Sequence, residues 1–482
     1  MKTGEQYRQS LRDGREVYLD GERVQDVTLH PATKPAVDVR ARLYDLRHAS
    51  GLKAKTTYTD ESGATYCRAF KLPESVNDLV QWRVYLETIL AEIGGPIERI
   101  GDDAVGELWS MYDAAAQLTR VDQRYGDNLK HHLQRIRELD LYHVSGNTDP
   151  KGDRSKSPTE QDPDLLLRVV EERDDGIVVR GAKYETGAAY AHQAFVKPTI
   201  ANWDESMADY AVGFICDMAS PGLKLICRSP IGAGRNPINY PIACRFDEID
   251  ALMVFDNVRI PWENVLFSRK PELARHIRGT LHRYAAFPFL VGLLFNADLL
   301  LGAALLNCEQ TGLDKLQPVR EKLTRLIWYR EMINATLAAS VSEAQMSPGG
   351  LMMPNQSMLY SGRIFACSLH PEMVHIVREL TGGQISLTPN IEALTDPRVR
   401  EVLEKYYTIG EWAAEDRMRL LYYTRDLVNS DYAGHRMTFY LFGQSPPFAH
   451  LAALFANFDT ARPRQLVRRI VGLRHPADAA HE

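Results

Sequence analysis

The chain has 482 residues, is 45% hydrophobic and 25% charged, and carries a formal net charge of −6. That length exceeds a single core and predicts two to four domains, while the ordinary composition excludes long disorder. The negative balance argues against a nucleic-acid or anionic-membrane surface, and six scattered cysteines without CxxC spacing exclude a disulfide framework or zinc site and fit reduced thiols in a cytoplasmic protein.

The first 22 residues are charged throughout and contain no apolar run, so they do not read as a secretory signal. Val17-Tyr18-Leu19 and Val24 flank an Asp20-Gly21 turn. From Ser75, a candidate cap, Leu79, Trp82, Tyr85, Leu86, Ile89 and Leu90 recur at three and four residues, and Gly94-Gly95-Pro96 stops that helix. A second helical pattern runs from about Asp103 to Leu141, with a break expected near Tyr125-Gly126-Asp127.

Residues 140–156, DLYHVSGNTDPKGDRSK, then turn abruptly small and polar. Such a stretch suits either an ordinary surface linker or a polar-ligand site at a domain seam. Beyond it the period changes to two. Leu165–Glu172 and Ile177–Arg180 flank Asp174-Asp175-Gly176 as a hairpin, and further strands are expected at Ala194–Lys197, Ala211–Asp217, Leu223–Arg228, Ala251–Phe255 and Val258–Ile260. Short antiparallel strands at this density predict a small barrel or sandwich. From Lys270 onward the pattern is helical, near 272–308, 313–346, 356–380 and 397–428, punctuated by Pro348-Gly349-Gly350 and Thr381-Gly382-Gly383. Phe287–Leu306 is the most apolar run, but Asn296 and Asp298 interrupt it, so it reads as a buried helix and not a membrane span.

The chain has no P-loop, no full GxGxxG, no HExxH and no GxSxG. The adjacent His131-His132 cannot share a helix face, so no metal pair is expected. Arg99, on the connector after the first helix, is open to a bidentate ligand contact or to an ion pair with Glu98 or Asp102. His282 lies in an apolar helix, where a core histidine is the default. Lys151, Asp153, Arg154 and Lys156 form a mixed-charge cluster compatible with phosphate or with plain solvation.

Eight co-linear segments carry a resemblance. They are TGEQYRQSLRDGREVYLDGERVQDVTLHP, LYDLRH, TDPKGDRSK, GIVVRGAKYETGAAYA, SPGLKLICR, DEIDALMVFDNVRIPWENVLF, TGGQISL and YAGHRMTFYLFG. Together the chain resembles the large, oxygenase component of the 4-hydroxyphenylacetate 3-monooxygenase family of two-component, FADH2-dependent enzymes. The resemblance implies an α+β, acyl-CoA-dehydrogenase-like fold with an N-terminal helical domain (1–145), a central antiparallel β-barrel (146–270) and a C-terminal four-helix bundle (271–482). It also implies a homotetramer or a dimer of dimers.

The activity so implied is hydroxylation of an aromatic, phenolic substrate by O2 through a C4a-hydroperoxyflavin, with FADH2 supplied by a separate flavin reductase. Flavin contacts fall on Ser145, Thr148, Lys151, Gly152, Asp153 and Arg154, and on Phe442, Gly443, Gln444 and Ser445. Gly187 stands where relatives have a threonine beside the flavin, with Thr186 as its substitute. Substrate contacts fall on Arg99, Asp103, Thr199 and Ile200.

Two positions depart from the family pattern. Asp103 stands at an expected tyrosine and Ser145 at an expected histidine, which leaves His143 or His282 as candidate bases. That departure keeps open an alternative, in which the same fold and flavin carry out an atypical oxidation or cyclisation of a specialised biosynthetic substrate. An iron–sulfur dehydratase of the same shape needs three cysteines and a histidine at the cleft, which Arg99 and Asp103 do not supply.

Overall fold

A computed structural model describes residues 1–97, 102–200, 203, 205–442 and 447–473. The first long helix, α1 (Val76–Ile93), begins where the Ser75 side chain accepts from the Asp78 amide while the Asp78 carboxylate reaches back, and it ends at Gly94 with φ +71°. The following helical region breaks earlier than the sequence suggests, into α2 (Asp102–Tyr112), a short helix Ala115–Val121 and α3 (Gln123–Glu138). Asp122 caps α3. Gly126 is no breaker: it lies inside α3, where a Cβ would stand 2.1 Å from the Thr119 hydroxyl oxygen. Close packing of two helices requires that glycine, and the sequence alone reads it as a stop.

Among the described residues, the strands that matter for the site are β1 (Glu16–Leu19), β2 (Glu22–Val24), β3 (His143–Gly146), β4 (Arg168–Arg173), β5 (Gly176–Thr186), β6 (Gln193–Val196), β7 (Val212–Asp217), β8 (Leu223–Cys227), β9 (Asp250–Pro261) and β10 (Val265–Ser268). They form a six-stranded sheet, β2-β1-β8-β9-β5-β4, and a four-stranded sheet, β10-β7-β6-β3. The expected hairpin across Asp174-Asp175-Gly176 is β4–β5. The two segments expected at 251–255 and 258–260 are one strand, β9, with a register shift between Phe255 and Val258 and Asn257 at φ +53°.

The central region is not the closed antiparallel barrel expected. Two pairings are parallel, β1 with β8 and β3 with β6, and the two sheets stay separate. The alternating pattern of each strand reports which side is buried, whereas the direction of pairing depends on partners up to about two hundred residues away in the chain.

The C-terminal half is helical. α4 (His282–Thr311) is apolar on all sides, long enough to cross a bilayer by length and composition, and largely buried. It runs through the middle of the bundle, touching α2, α5 (Gln317–Ser342), α6 (Gln356–Thr381) and α7 (Ala414–Val428). A helix that is hydrophobic all round needs such cover on every side. α8 (Asp431–Phe442), α9 (Pro447–Asn457) and α10 (Ala461–Val471) follow.

Candidate active site

The site grows from the contact of α2 with α4. At Gly106 the two helices come so close that a Cβ would stand 3.0 Å from the Ala285 backbone nitrogen. This approach fixes the next residue, Glu107, against β3. In β3, His143 and Ser145 share one side of the strand; in the parallel neighbour β6, Gln193 and Phe195 share the matching side. Continuing that alternation by two residues brings in Lys197.

Glu107, Ser145 and Lys197 meet there in a buried cluster. Lys197 Nζ donates to Glu107 Oε2 at 2.5 Å and to Ser145 Oγ at 2.6 Å. The Ser145 hydroxyl donates to Glu107 Oε2, and Asn147 Nδ2 donates to Glu107 Oε1 at 3.1 Å. The Lys197 ammonium also lies 4.4 Å from the centre of the Phe195 ring. Burial pushes the Lys197 ammonium below its ordinary value, while the Glu107 carboxylate opposes that shift.

A second ion pair, with its lysine buried, sits beside it. Lys183 on β5 donates to Asp149 Oδ1 at 2.5 Å, and Asp149 Oδ2 accepts from the Thr199 hydroxyl at 2.6 Å. The start of the 149–156 turn and the segment after β6 are thereby tied to each other and to the large sheet.

Across from these lie groups of the helical bundle. Arg363 Nε donates to His450 Nε2 at 2.8 Å, which leaves the proton of neutral His450 on Nδ1. The His282 and His450 rings are 5.7 Å apart, and the Arg363 guanidinium stands 4.3 Å over Phe289. Desolvation first, then Arg363 and Lys197, push the His282 pKa down to about 3.

Both histidines expected as candidate bases are held below their ordinary pKa, chiefly by desolvation. His143 Nδ1 is 3.2 Å from Gln193 Nε2, and the ring sits under the electrostatic influence of Lys197, His132 and Arg135, which hold its pKa well below the ordinary value together with desolvation, the largest cause. Ser145 is the residue of β3 that reaches the cluster.

The turn 148–156 is exposed from Lys151 to Lys156. Its shape is set by Gly152 at φ +47°, where a Cβ would stand 2.4 Å from the Leu165 side chain, and by Gln161 Oε1 accepting from the Asp153 amide at 3.0 Å. Lys151 and Arg154 make no ion pair among the described residues, so the turn presents two uncommitted cations in water beside the seam. That donor set fits a phosphorylated cofactor. The Thr148 carbonyl is engaged by the Tyr184 amide at 2.7 Å.

Other expected site residues are distributed as follows. Thr186 donates to Asp250 Oδ1 at 2.6 Å, so its proton is not spare for a ligand. Gly187 has φ +86°, with the Tyr142 hydroxyl oxygen 2.5 Å from the site of a Cβ. Ile200 is half-buried, Thr199 is exposed, and Phe442 is exposed at the end of α8. Asp103 lies in the first turn of α2. Arg99, Gly443, Gln444 and Ser445 lie outside the described residues.

Sequence reasoning missed Glu107 and Lys197. The signal was present in HQAFVKP, where strand alternation puts Gln193, Phe195 and Lys197 in phase and so assigns a lysine to the buried side.

A helical half, two central sheets and a helical bundle around a seam with a cationic turn define a cofactor-binding enzyme scaffold. The model for the 4-hydroxyphenylacetate 3-hydroxylase N terminal matches residues 3–267, and that for its C terminal matches residues 274–472. The chain belongs to the 4-hydroxyphenylacetate 3-hydroxylase family. It is 32% identical to the 4-hydroxyphenylacetate 3-monooxygenase oxygenase component of Pseudomonas aeruginosa, over 90% of this chain and 84% of that one. It is also 32% identical to the oxygenase component of 4-nitrophenol 2-monooxygenase of Rhodococcus sp, over 95% and 89%. The structure of the oxygenase component of 4-hydroxyphenylacetate 3-monooxygenase complexed with FAD and 4-hydroxyphenylacetate superposes with a TM-score of 0.91 at 25% identity, covering 98% of both chains.

Proposed function

We propose that this protein is the oxygenase component of a two-component, FADH2-dependent monooxygenase that hydroxylates a phenolic substrate. The observation that carries the reading is the whole-chain family match combined with an exposed cationic turn at the seam where a flavin would lie. Reduced flavin, when bound, supplies the electrons that activate O2 and delivers one oxygen atom to the ring.

The chain's own residues have definable tasks in this reading. Lys151 and Arg154 hold the cofactor's phosphates, and Gly152 lets the backbone make the turn beneath them. The Asp149–Lys183 pair holds Thr199 at the substrate side. Arg99 anchors the substrate's polar end, with Asp103 four residues further along the chain. His282 and His450, packed ring to ring with Tyr360 beside His450, form the close-packed wall that keeps water from the reacting atoms.

A separate flavin reductase supplies the reduced cofactor in this proposal, and the protein acts as a homotetramer in the cytoplasm. The exposed apolar faces of α9 and α10, with Phe455 77% and Ile470 82% exposed, support the assembly, since faces of this size on a monomer demand cover. Mixing anaerobic protein and FADH2 with O2 and a panel of 4-substituted phenols should yield the ortho-hydroxylated product by mass spectrometry. Oxidation of FADH2 with no phenol converted, across the whole panel, would sink the proposal.

A further inference from the structure

α8 packs against α6 and α7, and an internal cavity lies where these helices face α4. The room open there to the centre of a water molecule is about 10 Å³, and every residue lining it is buried. Two polar side chains of the lining are Asn296 on α4, 4% exposed, and His370 on α6, 5% exposed. Asn296 Oδ1 and His370 Nδ1 have no hydrogen-bond partner among the described residues. Buried polar groups in folded proteins are answered by protein or by ordered water, since an unmade bond leaves the desolvation of the group uncompensated. We propose that this cavity holds one structural water molecule, bonded to the Asn296 amide and to a ring nitrogen of His370, that joins α4, α6 and α8. The inference does not depend on the functional reading above.

Size and chemistry both select water. A cavity measured this way takes a water at about 10–15 Å³, and a cavity that stays dry is lined by apolar groups, which this one is not. The charge of the wall is already balanced. Arg436 pairs with Glu248 at 3.4 Å and donates to the Tyr440 hydroxyl at 3.4 Å, so the site neither calls for an anion nor accepts a cation. His370 is neutral, because desolvation first and then Arg436 push its pKa down to about 4. A neutral imidazole has one donor and one acceptor nitrogen, and an amide has a donor and an acceptor end. A single water, which can donate and accept, therefore serves both side chains.

The position of the water gives it a task. Tyr432, Arg436 and Tyr440 recur every four residues and turn one face of α8 to the cavity. The same helix grips the large sheet. Arg436 reaches Glu248, and His435 Nε2 accepts from Arg228 Nη2 at 3.2 Å, while Arg228 is held by Asp247 and by Asp250 at the start of β9. The hydrated joint thus fixes the bundle side of a helix whose other contacts fix the sheet.

A high-resolution crystal structure of the full chain tests the proposal directly. It should show one ordered water within about 3.2 Å of the Asn296 amide and of a His370 ring nitrogen. A cavity without density, or an ion in place of the water, overturns the proposal. Asn296→Leu and His370→Phe, alone and together, supply a second readout by urea unfolding. Each single variant roughly keeps side-chain size, removes one anchor of the water and leaves the other polar group unanswered. Each should lower the folding equilibrium constant about fivefold or more. The double variant removes both polar groups and should return to within about threefold of wild type. Single variants as stable as wild type, or losses that multiply in the double variant, overturn the joint. The crystallographic readout needs no variant and decides by itself where one does not fold.

Discussion

The Tyr142 hydroxyl oxygen occupies the space a side chain on Gly187 would need, 2.5 Å from the position of its Cβ. A side chain at 187 and the tyrosine hydroxyl at 142 thus exclude each other. The backbone at 187, at φ +86°, also lies where β-branched residues are strained. Gly187→Thr should therefore lower stability by about 2 kcal/mol or more in urea denaturation, from strain plus overlap. Tyr142→Phe in the same background should recover the part due to overlap and leave the strain.

Asp149 neutralises Lys183, whose side chain is 2% exposed. Asp149→Asn leaves a buried ammonium without its countercharge and should cost about 3 kcal/mol. The double variant Asp149→Asn with Lys183→Met should regain most of that stability. Both should raise KM for the substrate, because the carboxylate that orients Thr199 is a neutral amide in each.

Lys151 and Arg154 sit in water on the turn, so replacing both by alanine should leave the unfolding midpoint within about 0.5 kcal/mol of wild type. Flavin affinity, measured by fluorescence titration, should fall by about tenfold or more, since charge-assisted contacts to phosphate are worth about 1.5–3 kcal/mol. An unaltered affinity would remove the turn from the cofactor site.

Buried histidines make stability depend on acid. His132 and His370 are pushed down to about 4 and His282 to about 3, chiefly by desolvation. The unfolded chain binds protons on these rings near 6.5 while the folded chain does not. Their effect is therefore absent above that pH, and stability falls as pH drops from about 6.5 toward 4, by roughly 3 kcal/mol for each of His132 and His370. Urea midpoints measured across this range should show the slope, and His132→Gln should flatten it.

Legibility in the sequence followed the range of each interaction. The Ser75 cap, the Gly94 stop and the β4–β5 hairpin depend on residues within a few positions and were readable. Asp256-Asn257 looks like a turn between two strands, yet it is a bulge, because the neighbouring β5 continues past it and holds both halves of β9 in one ladder. The cationic turn was visible in its composition. The Glu107–Ser145–Lys197 cluster was not, because its three members meet only after α2, β3 and β6 have packed; Ser145 was singled out without its two partners.

The parallel pairing of β1 with β8 sets an order of events during synthesis. Glu16–Leu19 leaves the ribosome well before Lys224–Cys227, its parallel partner in the large sheet. About two hundred residues must be made before that strand finds its place, and until then Val17 and Leu19, both buried in the finished protein, are without cover. The contact of highest sequence separation in the large sheet closes late and slowly. A nascent chain stalled between these segments would carry an apolar strand edge in water, an aggregation-prone state that the finished fold removes.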